Sequence, residues 1–84
     1  MENTKFVRVS EAITSAILER EQVHPAFLHR NPDNTFKAVF AEEVTDVLRG
    51  QVEDADDTIV LFEPDDSEPT EIYFGFIDEP TDYS

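Results

Sequence analysis

The rhythm of polar and apolar residues changes several times along this chain, and each change marks an element. Phe6, Val7 and Val9, with Lys5 and Arg8 interleaved, read as a short first strand. Ala12, Ile13, Ala16 and Ile17 then recur at the three-and-four spacing of a helix face. Ser10 offers an N-cap oxygen, and Glu11 places a negative charge at the positive end of the helix dipole. The spacing predicts a helix over residues 11–22, which Pro25 stops by disfavouring helical geometry in the residue before it.

The next apolar residues alternate. AFLHR-NPDN-TFKAVF predicts a hairpin, with Phe36, Ala38 and Phe40 on one face of its second strand. Asn31-Pro32-Asp33-Asn34 suits a type I turn, since Pro presets its φ and Asn tolerates the left-handed region. A short helix beginning at Pro25 is the competing reading. AEEVTDVLRG, residues 41–50, predicts the second helix. Glu42 and Glu43 fall in its first turn, Val44, Val47 and Leu48 form its apolar stripe, and Arg49 and Gly50 close it. Its E-E-V-T-D-V-L echoes E-A-I-T-S-A-I at Glu11, as two amphipathic helices of this length often do. TIVLFE and TEIYFGFI, joined by the proline-flanked PDDSEP, predict a second hairpin with Ile72, Phe74 and Phe76 facing inwards, while Tyr73 and Ile77 leave the opposite face only partly polar. The expected fold is α+β: one small domain over residues 1–77, with two helices packed on a mostly antiparallel sheet of about five short strands. Residues 78–84, DEPTDYS, read as an acidic tail.

Composition narrows the chemistry. With 84 residues and no cysteine, the chain has neither disulfides nor thiolate ligands, so packing must hold it together. Its longest apolar runs, IVLF and IYFGFI, are too short to span a bilayer, and its first residues lack the pattern of a signal peptide. These features predict a cytoplasmic protein. His24 and His29 are five residues apart across a proline and do not share a helical face, so no acid–base pair is expected of them. Gly50 and Gly75 are the only glycines, too few for a phosphate-cradling loop or a nucleophile elbow. Carboxylate pairs abound, but so short a chain has little room for a substrate cleft. Calcium also fails: a twelve-residue loop counted from Asp54 has Ile59 where Gly is needed and Asp65 where Glu is needed. A non-enzymatic protein without metal or cofactor is expected.

The distribution of charge is what remains, and it is uneven. Residues 1–41 carry five acids and five bases, whereas residues 42–84 carry fifteen acids and Arg49 alone, a net of −14. Residues 53–71 include nine acids and no base. Direct binding of nucleic acid or of an anionic membrane is therefore not expected, and the charge calls for a basic partner. One role for such a layout is imitation of a nucleic-acid backbone, which presents about one negative charge per 1.7 Å of duplex axis to clefts of Lys and Arg. Glu42, Glu43 and Asp46 would present carboxylates at helical spacing, and Asp57, Glu63, Glu71 and Asp78 would do so from strand ends and turns. Glu53, Asp54, Asp56, Asp65, Asp66 and Glu68 would extend the array, and Tyr73 would add an aromatic contact.

In size and charge, though in no motif, the chain resembles small acidic phage proteins that act on restriction enzymes, CRISPR effectors or uracil-DNA glycosylase. This likeness implies an inhibitor seated in the cleft of a basic nucleic-acid-binding protein. Two other classes fit the same charge: an immunity protein or antitoxin against a basic nuclease toxin, and an interaction module whose acids only keep it soluble. An exposed strand edge would also support a homodimer.

Overall fold

The computed structural model describes residues 6–78. In chain order the elements are α1 (Glu11–Glu19), β1 (Phe27–Arg30), β2 (Phe36–Val39), α2 (Asp46–Ala55), β3 (Ile59–Phe62) and β4 (Glu71–Phe76). The strands form one sheet in the order β1-β2-β4-β3, with every neighbouring pair antiparallel. The fold is thus the expected α+β domain, with four strands rather than about five. Of the predicted first strand, Lys5 lies outside the described residues; among the described ones the Val7 N–H bonds the Phe76 carbonyl at 2.8 Å and Phe6–Val9 joins no ladder.

The core lies between the helices and one face of the sheet. Phe36, Phe74 and Phe76 are fully buried, with Phe36 stacked on Phe74 at 5.5 Å and edge-on to Phe76 at 6.1 Å. Burying each such side chain is worth about 1.5–3 kcal/mol, so this trio carries much of a small core. Ile17, Leu18, Val52 and Ile72 close around it.

α1 begins where expected, with Ser10 Oγ accepting from the Ile13 N–H at 3.1 Å. Its buried face differs from the predicted stripe: Thr14, Ile17 and Leu18 point inwards, while Ala12 and Ala16 are exposed. Thr14 is tolerated there because its hydroxyl donates to the Ser10 carbonyl at 2.9 Å. The helix ends early because Gln22 takes a left-handed φ of 59°, which lets the Val23 N–H reach back to the Leu18 carbonyl at 3.1 Å. The expected β1–β2 hairpin forms, with Leu28 opposite Ala38 and the expected left-handed Asn in its turn, Asn34 at φ 73°.

α2 corrects the sequence reading most. It spans residues 46–55, not 41–50, so Glu42 and Glu43 lie in the preceding loop and Gly50 sits mid-helix. The reason is local. The Phe40 and Val44 N–H groups bond the carbonyls of Thr70 and Pro69 at 2.8 and 2.9 Å, holding that stretch beside the start of β4. Thr45, extended at φ −109°, then caps the helix by accepting the Leu48 N–H at 3.2 Å. The inward face runs Leu48, Val52 and Ala55, and Val47 is 74% exposed.

A charged face on one half of the molecule

Because β2 and β4 occupy the middle of the sheet, the two halves of the sequence become two halves of the molecule. β1 and β2 form one side with α1 against β1; β4 and β3 form the other with α2 against β3. The neutral and acidic stretches therefore separate in space, although residues 79–84 of the predicted acidic tail lie outside the described residues.

Within the acidic half the carboxylates gather at two ends. The Val44–Pro69 bond holds the start of α2 beside the β3–β4 turn, bringing Glu42, Glu43 and Asp46 to the same end as Glu63, Asp65, Asp66 and Glu68. The last turn of α2 carries Glu53 and Asp54 and leads into β3 at Asp57. Asp78 follows β4 at this same end, where the Ile77 N–H bonds the Thr58 carbonyl at 3.0 Å. All of these side chains are exposed. β3 and its flanks separate the two groups by about 20 Å at the rise of an extended strand. The helical spacing predicted for Glu42, Glu43 and Asp46 is not present, since only Asp46 is helical.

Three predicted site residues, Asp56, Glu71 and Tyr73, are engaged inside the fold. Asp56 is buried; it accepts the Thr58 N–H at 3.1 Å and the Thr58 hydroxyl, and Arg20 lies 4.0 Å away. Its carboxylate closes α2 and starts the turn into β3. Glu71 is half-buried and accepts from the Glu68 N–H at 3.1 Å and the Tyr73 hydroxyl at 3.0 Å, with Lys37 Nζ at 3.9 Å. The Glu68 N–H is the main cause holding its carboxyl below the usual range. Burial, followed by the bond to Glu71, pushes the Tyr73 phenol up. Glu63 is exposed and pairs with Arg49 at 3.5 Å.

The Arg20–Asp56 and Lys37–Glu71 pairs join first-half cations to second-half acids, so they sit on the seam between the halves. Apart from Glu63, which pairs with Arg49, the outlying carboxylates at the two ends enter none of the described ion pairs. Among the described residues no group of three or more His, Asp or Glu side chains is placed to hold a metal, and no helix is long and apolar enough to cross a membrane.

The opposite face of the sheet holds what the sequence pattern left undetected. Phe62 packs between Phe6 and Tyr73, with ring centroids 6.0 and 5.9 Å away. Beside them an open concavity of about 410 Å³ runs from the 31–35 turn to Phe62, Pro64 and Tyr73. Asp33 lines it from the neutral half of the sequence. Its only sequence signal is the N-P-D-N-T turn, which predicts shape but not recognition. No protein-family model, curated protein or solved structure matches this chain.

Proposed function

We propose that this protein is a non-catalytic, cytoplasmic inhibitor that occupies the basic DNA- or RNA-binding cleft of a target protein. The observation that carries this reading is the segregation of charge. From Glu42 to Asp78 there are thirteen acids and one base, whereas Phe6 to Ala41 is balanced at four of each. The sheet order puts their strands, β1 with β2 and β4 with β3, on opposite sides of the molecule. Acids needed only for solubility would work as well if scattered, and scattering would lower their mutual repulsion.

The placement of Glu53 and Asp54 supports the same reading. Both lie in the last turn of α2, which carries no base, against the negative end of the helix dipole. Each such placement costs about 0.3–1 kcal/mol. Sequence selected for stability alone would put Lys or Arg there. The carboxylates at the two ends of α2 and β3 would meet cations that normally hold phosphates about six base pairs apart, and α2 with its strand pair would keep the array stiff.

Capture from a bacterial lysate at low salt tests the proposal. The tagged protein should retain a basic nucleic-acid-binding protein that duplex DNA releases, as does rising salt. Capture of a partner that salt releases and DNA does not would place the acids in another kind of interface, such as that of a toxin.

A further inference from the structure

We propose that the concavity between the 31–35 turn and the Phe62–Tyr73 pair receives an arginine side chain of the basic partner. This rests on the cleft-occupying reading and adds to it a specific anchor. The acids at the two ends would attract any cation, whereas this site combines aromatic surface with a carboxylate. Phe62 and Tyr73 supply ring surface, and Asp33 lines the same concavity.

The ring surface favours a guanidinium over the ammonium of lysine, and the carboxylates beside it favour a cation of either kind. A planar, weakly hydrated guanidinium stacks on ring faces, while a compact ammonium keeps its water. Asp33 is exposed and lines the concavity; its Oδ1 accepts the Thr35 N–H at 3.1 Å and hydroxyl at 2.6 Å, and its Oδ2 accepts none of the described hydrogen bonds. A second carboxylate adjoins the rings, because Glu71 accepts the Tyr73 hydroxyl at 3.0 Å. Lys37 is a nearby protein cation, and its ammonium pairs with Glu71 at 3.9 Å. A nucleic-acid base could use the same rings, but the carboxylates would repel its phosphates, so the chemistry selects a cationic protein side chain.

The test is an NMR titration of the full chain at low salt with two capped peptides of equal charge, tri-arginine and tri-lysine. Tri-arginine should bind about threefold more tightly, with the largest shifts at the Phe62 and Tyr73 rings and the 31–35 amides. Tyr73→Phe, which keeps the ring, should preserve that preference, and Tyr73→Leu should remove it. The shift map of the unaltered protein reads the site even if a variant fails to fold. Equal affinities, with shifts spread over α2 and the 63–68 turn, would overturn the arginine site while leaving cleft occupancy standing. Failure of both peptides to bind would overturn both.

Discussion

At Gly75 the sheet leaves no room for a side chain. A β-carbon there would lie 2.3 Å from Phe6 Cδ1 and 2.9 Å from Phe6 Cγ, so the whole ring would have to move, not only its tip. Gly75→Ala should therefore lower stability by about 1–3 kcal/mol in urea unfolding. In a Phe6→Ala background the same change should cost much less, because the two positions share one contact. Asp33 shows how a single carboxylate ties stability to pH. The Thr35 hydroxyl, then the Thr35 N–H, holds its carboxyl below the usual range. A carboxylate with a lowered folded pKa adds stability above its unfolded value and loses it as the pH falls through the folded one. The stability gap between wild type and Asp33→Asn should thus be widest near neutral pH and shrink as the pH falls below the ordinary aspartate range. A gap independent of pH would mean that shape, not charge, is what the turn needs.

Among the elements, α2 separates what the sequence pattern disclosed from what it hid. Thr45→Ala should cost about 1 kcal/mol, since it removes the oxygen that caps Leu48. Replacing Glu42 and Glu43 with Gln should leave helix content unchanged by circular dichroism, because both lie before the cap. A loss of helicity in that variant would restore the 41–50 assignment. The true signal was present in Thr45-Asp46 followed by Leu48, Val52 and Ala55, one cap and one apolar face. It was obscured because Glu42 and Glu43 imitate a favourable first turn and Gly50 imitates a stop. Local chemistry alone cannot rank those rival caps; the tie of Val44 to Pro69 decides between them, and that tie is tertiary. The two hairpins were legible because alternation and turn residues agree over each. The first segment was not, because whether Phe6–Val9 joins a ladder depends on where β2 begins beside β4. Of the proposed site, the carboxylates were visible as composition. The engagement of Asp56 and Glu71 and the concavity at Phe62 needed coordinates.

At the scale of the molecule, sheet order turns a lopsided sequence into a lopsided charge distribution. Glu53→Lys addresses stability and binding together. Reversing charge in the last turn of α2 should raise stability by about 0.5–1 kcal/mol. It should also slow association with the target, because electrostatic steering acts chiefly on the on-rate. Greater stability with unchanged association would leave Glu53 outside the interface. The same field explains why added salt should raise the unfolding midpoint: it screens repulsion that thirteen acids against one base cannot relieve internally. The central claim is that this surface and a nucleic acid compete for one cleft, and equilibrium competition for the captured target measures this most directly. Labelled duplex held by that target should be displaced completely as this protein is added, and displacement should weaken as salt rises. A stable ternary complex of target, duplex and this protein would contradict the account.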